Sequence, residues 1–229
     1  MAKPPLRSLL ATPSAQLILT SYRLTAVPEV VRDWPALCHL GLQRNQLRTL
    51  PAWIGACASL TSLYLGDNPL EALPDSLGAL PALERLQLDG SALPALPEGL
   101  AQSPLRALHL DRMASLDWAQ AFAVLSRCPQ LTSLTLNGNP GIAAHLEGLR
   151  GLTSLRQVFL SACALEAAPA VLAEVPGLLE VSLVDNPLDR VPDALVTAPS
   201  LRMLLLDKTG VPAGERRRIR ALRPDLRLG

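Results

Sequence analysis

Asp89, His109 and Asp111 are the residues whose types and spacing could perform chemistry in this chain. His109 and Asp111 stand two positions apart, so in a strand both side chains project from the same face. Asp89 should lie on the adjacent strand, about 4.8 Å away. Two carboxylates beside an imidazole could bind a metal ion or transfer a proton. An open sheet encloses no pocket, however, so we expect solvated surface groups here, with no catalytic residue and no bound metal.

Sequence motifs for catalysis or metal binding are missing. The chain contains no GxxxxGK(S/T), GxGxxG, HExxH or GxSxG, which are signatures of nucleotide, dinucleotide, zinc-protease and serine-hydrolase sites. Cys38, Cys57, Cys128 and Cys163 form no CxxC pair and have no His at zinc-finger spacing, so neither a disulfide framework nor a zinc site is indicated. We predict a protein that is not an enzyme, needs no cofactor and resides in a reducing compartment.

Composition narrows the class of partner. Hydrophobic residues make up 49% of the chain and charged residues 18%, which excludes the composition of a disordered protein. The formal net charge is +1, so the molecule as a whole has no electrostatic attraction to nucleic acid or anionic lipid. No stretch approaches the ~20 apolar residues of a membrane span, and the N-terminal segment lacks a signal-peptide core. We expect a cytoplasmic protein without nucleic-acid or membrane partners.

An internal repeat defines the elements that position these residues. Segments of about 23 residues share the pattern LxxLxLxxNxLxxLPxxLxxLxx over most of the chain. The fifth copy is lengthened by an insertion, and the sixth is one residue over length. The nine copies begin at Ser14, Leu37, Leu60, Leu83, Leu105, Leu131, Leu155, Leu178 and Leu201.

This repetition resembles the leucine-rich-repeat family, in its cytosolic class with an LPxxL segment on the return side of each repeat. Similar repeats occur in intracellular signalling scaffolds, Roco proteins and bacterial effectors. The resemblance covers residues 14–211. It implies an α/β fold, a right-handed solenoid or horseshoe with a parallel β-sheet on its concave side and mostly loops and 3-10 turns on its convex side. It implies a mode of binding and no enzymatic activity.

The residues predict the same architecture independently. Alternation in LxL indicates a short strand in each copy, with leucines facing inward and the intervening residues outward. One repeat cannot bury its leucines alone, so the copies must stack. Right-handed crossovers between the copies then give nine parallel strands in one sheet.

An asparagine occupies the ninth position of four repeats and should point inward to hydrogen-bond the turn backbone of neighbouring coils. Tyr22 and Met113 stand at the same position and cannot do so. We therefore expect local distortion in the first coil and near residue 113. The four asparagines are Asn45, Asn68, Asn139 and Asn186.

Prolines recur after an apolar residue on the return side of the repeats, where they fix φ and remove a hydrogen-bond donor. We expect no long helices there. Two copies differ, because Asp117 can cap a helix in the fifth and the segment AAHLEGLR of the sixth lacks the proline. Both copies are predicted to contain short α-helices. The prolines are Pro28, Pro51, Pro74, Pro97, Pro169 and Pro192.

Both ends of a solenoid expose a hydrophobic cross-section that needs a cover. We predict a single domain over residues 1–229, with residues 1–13 as the N-terminal cap, 14–211 as the nine repeats and 212–229 as a helical C-terminal cap. Of the last segment, Ile219 and Leu222 should form the apolar face of the helix.

The cap helix also carries the strongest charge cluster, namely Arg216, Arg217, Arg218, Arg220 and Arg223. A nucleic-acid or phosphate site is one interpretation of such a run. The balanced net charge and the absence of interleaved aromatic residues favour a solvated helix face instead, where late basic residues suit the helix dipole.

Partner contacts are expected at the third, fifth, seventh and eighth repeat positions, which face outward on the concave sheet. Tyr64 and Phe159 both occupy the fifth position, in a chain with only 3% aromatic residues. Outward aromatics favour a binding hot spot, although each could simply cover its neighbours. Arg85 and Arg112 should form exposed ion pairs with the nearby aspartates. The predicted partner-binding residues are Tyr64, Arg85, Gln87, Asp89, His109, Asp111, Arg112, Thr135, Gln157 and Phe159.

Two functions of different classes fit these observations. The first is a non-catalytic protein-binding module, a bacterial scaffold or effector that holds a protein partner on its concave face, expected to be a cytoplasmic monomer unless a non-classical route exports it. The second is the substrate-recognition subunit of an enzymatic system of the ubiquitin-ligase or GTPase type, with catalysis on another chain. A genomic neighbour encoding such a catalytic domain would distinguish them.

Overall fold

Ten short parallel strands form a single sheet in which they follow one another in sequence order. The computed structural model describes residues 3–229. Each strand contributes to one coil of the solenoid, and coils 1 to 9 coincide with the nine repeats. The strands are β1 (Gln16–Ile18), β2 (His39–Gly41), β3 (Ser62–Tyr64), β4 (Arg85–Gln87), β5 (Ala107–His109), β6 (Ser133–Thr135), β7 (Gln157–Phe159), β8 (Glu180–Ser182), β9 (Met203–Leu205) and β10 (Arg227–Leu228).

The predicted parallel sheet is confirmed, and its last strand is an addition to the nine expected. Arg227 pairs with Met203 and Leu228 with Leu204, so β10 extends the sheet past β9. Its sequence does not follow the repeat consensus. The strand forms because the chain returns from the last helix along the open edge of β9, where unpaired backbone groups are available.

The leucines of the repeat form one continuous core along the inner side of the sheet. In coil 3, Leu60, Leu63 and Leu65 are all fully buried, and Leu63 is aligned with Leu40 and Leu86 on the neighbouring strands. Burial of one such side chain stabilises the fold by about 1.5–3 kcal/mol. Because the burial depends on neighbouring coils, the stack is stable where a single coil would not be.

Short 3-10 helices dominate the convex side, as the recurring prolines predicted. The α-helices are α1 (Leu6–Leu9), α2 (Trp118–Leu125), α3 (Asp193–Val196) and α4 (Ala213–Leu222). The 3-10 helices span Glu29–Asp33, Ala52–Ala56, Asp75–Ala79, Glu98–Gln102, Ile142–Gly151 and Ala170–Ala173.

Only one of the two convex α-helices predicted from sequence forms. Helix α2 begins after Asp117, whose Oδ1 accepts a hydrogen bond from a first-turn amide at 3.1 Å, as an N-cap should. The predicted α-helix in the next coil is wrong, since Ile142–Gly151 is a 3-10 helix. Its N-cap, Gly141, supplies no side-chain hydrogen bond. The segment also packs so closely on α2 that a Cβ at Gly148 would lie 2.5 Å from the Phe122 ring.

The predicted asparagine ladder is present. Asn68 is 1% exposed, and its Nδ2 donates to the carbonyls of Leu42 at 2.9 Å and Leu65 at 2.8 Å. Its Oδ1 accepts from the amide of Leu47 at 3.1 Å. One side chain therefore satisfies backbone groups of two adjacent coils. The same arrangement recurs at Asn45, Asn139 and Asn186.

The residue before the ladder position has a left-handed backbone in all nine coils. Near Met113 the backbone keeps this conformation, with φ of Arg112 at 55°. The ladder bond does differ there, because Asn139 Oδ1 accepts from the Met113 amide at 2.7 Å, whereas Asn68 accepts from Leu47, two positions further along its repeat. Coils 1 and 7 each contain a second left-handed residue two positions further along, Arg23 with φ of 58° and Ala164 with φ of 55°, so this feature does not set the first coil apart. The left-handed residues at position eight are Ser21, Arg44, Asp67, Gly90, Arg112, Gly138, Ala162, Asp185 and Lys208.

Residues 3–13 cover the first coil, whereas residues 1 and 2 of the predicted cap lie outside the described residues. Leu6, Leu9 and Leu10 pack partly buried against the core. The Lys3 ammonium donates to the carbonyl of Thr20 at 2.9 Å. In interior coils the equivalent carbonyl accepts an amide of the preceding coil, so Lys3 replaces a hydrogen bond that the sheet edge would otherwise lack.

The C-terminal helix α4 covers the other end in a different manner from that predicted. Ile219 is fully buried, but Leu222 is 45% exposed. The prediction that Leu222 lies on the buried apolar face of the helix is therefore wrong. The prediction of solvated arginines is also wrong in part. Arg223 donates to the carbonyls of Ala198 at 2.9 Å and Leu201 at 3.0 Å, and Arg216 donates to that of Leu206 at 2.6 Å. These arginines satisfy carbonyls of coils 8 and 9 and stabilise the cap.

No helix within residues 3–229 combines the length and the apolar character that crossing a membrane requires.

Candidate partner-binding face

The concave face presents its side chains in straight columns, because the strands are paired without offset. At position five, Tyr64 is aligned with Gln87, His109, Thr135 and Phe159 in successive strands. Four strand spacings separate Tyr64 from Phe159, which is about 19 Å at roughly 4.8 Å per strand. The sheet thus holds two aromatic rings at opposite ends of a polar central stretch.

Tyr64 and Phe159 are both half-buried, and neither belongs to the hydrophobic core or to the side chains packed against it. Their rings therefore lie on the outer surface of the sheet, as predicted. Among the other predicted contact residues, Arg85 and Arg112 are exposed, whereas Gln87, His109, Asp111 and Gln157 are half-buried.

Two predicted contact residues are less accessible than the strand alternation indicated. Asp89 is 7% exposed and Thr135 is 9% exposed. The Asp89 carboxylate turns along the sheet, where its Oδ2 accepts from Gln87 Nε2 at 2.5 Å. Thr135 lies between His109 and Phe159 in column five, and its Oγ1 is buried without a hydrogen-bond partner.

A second ladder of side chains, which the sequence analysis did not foresee, runs along position seven. Oδ1 of Asp89 accepts from the amide of Asp111 at 3.0 Å, and Oδ1 of Asp111 accepts from the amide of Asn137 at 2.8 Å. Oδ1 of Asn137 then accepts from the amide of Ser161 at 2.8 Å. Position seven therefore carries structural acceptors that join coils 4 to 7.

The arginines near these aspartates have different partners from those predicted. Arg112 forms an ion pair with Asp67, with Nη2 and Oδ1 3.0 Å apart. Arg85 donates from Nε to the hydroxyl of Ser62 at 3.0 Å and approaches Glu84 at 4.0 Å. The predicted ion pairs with Asp89 and Asp111 are wrong, because both guanidinium groups extend toward coil 3.

The two ends of the concave face are more apolar than its centre. Ile18 on β1 is 44% exposed. Val184, Met203 and Leu205 are half-buried in coils 8 and 9. The sequence analysis covered only the middle repeats, and the same alternation rule applied to the terminal ones would have identified these residues.

No described group in residues 3–229 could hold a metal ion through three His, Cys, Asp or Glu side chains. The four cysteines are free thiols. Burial raises the pKa of Cys128 to about 11, and burial likewise raises the pKa values of Cys57 and Cys163. Thiols with raised pKa values form little thiolate at neutral pH and are poor nucleophiles.

Comparison with known proteins agrees with the repeat fold described above. A model of the leucine rich repeat matches residues 15–70. No match was found among curated protein sequences.

Solved structures resemble the chain over most of its length. Internalin C2 from Listeria monocytogenes matches with a TM-score of 0.67 and 21% identity, covering 87% of this chain and 89% of the internalin. Human 5T4, the trophoblast glycoprotein, matches with a TM-score of 0.72 and 22% identity, covering 93% of this chain and 95% of the 5T4 chain. The plant peptide hormone receptor RGFR1, in complex with RGF2, matches with a TM-score of 0.59 and 22% identity, covering 93% of this chain but 35% of the receptor.

Proposed function

This chain is a leucine-rich-repeat protein, and from that premise we propose that it is a non-catalytic module that binds a protein partner on the concave face of its sheet. The position of Tyr64 and Phe159 carries the proposal. Both rings lie on the outer surface of the sheet in the same column, in a chain with only 3% aromatic residues. Aromatic residues are enriched among the side chains that contribute most to protein interfaces.

Further observations support a polypeptide as the partner. The surface is an open, mixed polar sheet with apolar ends. The net charge of the whole chain, +1, offers no general attraction to nucleic acid. The plant receptor that shares this fold was solved in complex with RGF2. Monomeric state, cytoplasmic location and the role of a bacterial scaffold or effector remain predictions from the sequence.

The test compares the wild-type chain with a Tyr64→Ala/Phe159→Ala double variant as bait in a lysate of the source organism. A retained partner is identified by mass spectrometry and its affinity is then measured with purified material. Each truncation should weaken binding by about 2 kcal/mol or more, roughly thirtyfold. The free energy of unfolding should change little, because neither ring belongs to the core.

Leu222→Ala is the matched control, since Leu222 is a large exposed apolar residue on the cap helix, away from the concave face. Its affinity for the partner should equal that of the wild type. Full binding by the double aromatic variant would refute the proposed function. Arg217→Gln is a second control on the cap helix, because Arg217 is exposed whereas Arg216 and Arg218 hydrogen-bond the last coils, and it should leave the affinity unchanged.

A further inference from the structure

A glycine occupies position seven of coil 3, so the ladder of side chains along this position begins only in coil 4. In coils 5, 6 and 7 the position-seven amide donates to the position-seven side chain of the preceding coil. Gly66 has no side chain to offer to the amide of Asp89. Within residues 3–229 this amide has no hydrogen-bond acceptor, although Asp89 is only 7% exposed. Buried backbone groups are nearly always paired.

A missing acceptor alone does not make a site, since Val184 likewise offers none to the amide of Asp207. At Gly66, however, the place of the side chain is an open hollow of about 330 Å³. Crowding does not require the glycine, because a Cβ there would lie 3.6 Å from both the Asp89 carbonyl oxygen and Gln87 Nε2. Its φ is not positive either. The glycine therefore leaves room for a group from outside.

Two arginines line this hollow and share a single carboxylate. Arg44 Nε lies 3.6 Å from Asp67 Oδ2, and Arg112 Nη2 lies 3.0 Å from Asp67 Oδ1. The Arg44 and Arg112 side chains remain 71% and 59% exposed. Each guanidinium carries five N–H donors, so most of these donors are left for another acceptor.

Oxygen atoms around the hollow, by contrast, are already paired. Asp89 Oδ2 accepts from Gln87 Nε2 at 2.5 Å, and Asp89 Oδ1 accepts from the Asp111 amide at 3.0 Å. Gln43 Oε1 accepts from the hydroxyl of Thr20 at 3.1 Å. The groups that lack a partner are therefore donors. A carboxylate suits them, because it brings acceptor oxygens and no donor and its charge is opposite to that of the guanidinium groups.

The hollow is adjacent to the aromatic residue on which the proposed function depends. Gly66 follows Tyr64 by two positions, so the two face the same side of the sheet. Their separation is about 7 Å at roughly 3.3 Å per residue. A partner that packs on the Tyr64 ring can thus place a neighbouring group in the hollow.

We infer that the hollow at Gly66 binds a carboxylate of the partner, supplied by an acidic side chain or by the C-terminus. One carboxylate oxygen takes the place of the missing position-seven acceptor and accepts from the Asp89 amide. The guanidinium groups of Arg44 and Arg112 donate to the other oxygen. This inference rests on the proposed function for the nature of the partner.

The first test titrates the isotope-labelled full chain with N-acetyl-aspartate N-methylamide at constant ionic strength and follows the Asp89 amide by NMR. Its resonance should shift saturably, with a dissociation constant in the millimolar range. The uncharged N-acetyl-asparagine N-methylamide should bind about tenfold more weakly or worse. N-acetylglycine carries the carboxylate of a chain end, and its affinity relative to the aspartate compound identifies the source. No saturable shift, or equal affinity for the aspartate and asparagine compounds, would overturn the inference.

Gly66→Asn should close the site from within. Asn137 already accepts the position-seven amide of the next coil, so an asparagine at position seven of coil 3 can accept that of Asp89. The variant should no longer bind the aspartate compound, and its urea midpoint should equal or exceed that of the wild type. Gly214→Asn makes the same substitution at an exposed glycine of α4 and should bind normally. Undiminished binding by Gly66→Asn would contradict the inference.

Arg44→Gln and Arg112→Gln should each weaken binding of the aspartate compound by about tenfold. Arg48→Gln is the matched control, because Arg48 is equally exposed but pairs with Glu71 outside the hollow. Its affinity for the aspartate compound should be that of the wild type. Equal affinities in all three arginine variants would remove the guanidinium groups from the site and overturn the inference.

The purified lysate partner separates this inference from the proposed function. Gly66→Asn should lose affinity for the partner as the double aromatic variant does. Full affinity in Gly66→Asn, with loss in the double aromatic variant, would overturn the inference and leave the proposed function standing. Full affinity in the double aromatic variant would refute the proposed function, whereas the shift of the Asp89 amide with the aspartate compound would still show a carboxylate site.

Discussion

The guanidinium of Arg112 reaches across a whole coil to the carboxylate of Asp67, with Nη2 and Oδ1 3.0 Å apart. Gly90 occupies the coil between them, and a Cβ at that position would lie 2.8 Å from the Asp67 carboxylate. The two charged side chains are 59% and 44% exposed, so the pair stabilises the fold by only about 0–1 kcal/mol.

Gly90→Ala should destabilise the protein by about 1–2 kcal/mol, because φ of Gly90 is +64° and an L-residue in the left-handed region is strained by that amount. The added methyl also displaces the Asp67 carboxylate. Gly214→Ala should instead stabilise the protein. Gly214 lies within α4 with nothing near its Cβ position, and alanine is favoured over glycine in a helix by about 0.5–1 kcal/mol. Urea unfolding of the two variants tests this, and equal midpoints would contradict it.

Asn68→Ala should destabilise the fold far more than Asp67→Ala, although the residues are adjacent. The first leaves the Leu47 amide and the Leu42 and Leu65 carbonyls without their partner, and each abandoned buried group costs about 1–3 kcal/mol. The second removes exposed ion pairs with Arg44 and Arg112, worth about 0–1 kcal/mol. Chemical denaturation gives both free energies. Similar values would show that the Asn68 ladder is not essential to the stack.

The repeat made the inward-facing positions predictable, because periodicity determines which side of a strand a residue occupies. Leu63 and Asn68 are clear examples, each buried as expected. Periodicity does not determine which conformation a flexible polar side chain adopts or which group it hydrogen-bonds. Asp89 and Asp111 therefore looked like solvated groups, although each accepts a backbone amide of the next coil.

The C-terminal cap likewise contains polar contacts that the sequence pattern does not predict. A run of arginines in sequence has the appearance of a charged helix face, and nothing in the run shows that carbonyls of the preceding coil lie within reach of Arg223. Strand β10 was missed for a related reason. Arg227–Leu228 pairs with β9 through its backbone, and backbone pairing leaves no signature in two residues.

Arg223→Gln should destabilise the C-terminal cap by about 2 kcal/mol or more, whereas Arg220→Gln on the same helix should be nearly neutral. Arg223 donates to the carbonyls of Val196, Ala198 and Leu201, and hydrogen bonds to charged groups contribute about 1.5–3 kcal/mol each. Arg220 is exposed. Hydrogen exchange of the β9 and α4 amides would show local opening in the first variant alone. Identical exchange in both would refute a structural role for Arg223.

Glu215 should make stability depend on pH below about 4.5. Its side chain is 12% exposed, and hydrogen bonds from Arg218, supported by the amide of Val191, lower the pKa of Glu215 to about 2. Because the pKa in the folded protein lies below the ordinary value of 4.5, the carboxylate stabilises the fold fully above pH 4.5. That contribution is lost as the pH falls toward 2.

Glu215→Gln should therefore lower the melting temperature at pH 7, and the difference from the wild type should shrink between pH 4.5 and pH 2 as the wild type loses its charge. Glu29→Gln is the control, because Glu29 is exposed at the start of a convex 3-10 helix, and its melting temperature should follow that of the wild type throughout. Thermal unfolding by circular dichroism across this range measures both. A difference between Glu215→Gln and the wild type that stays constant down to pH 2 would show that the Arg218 pair does not couple protonation to folding.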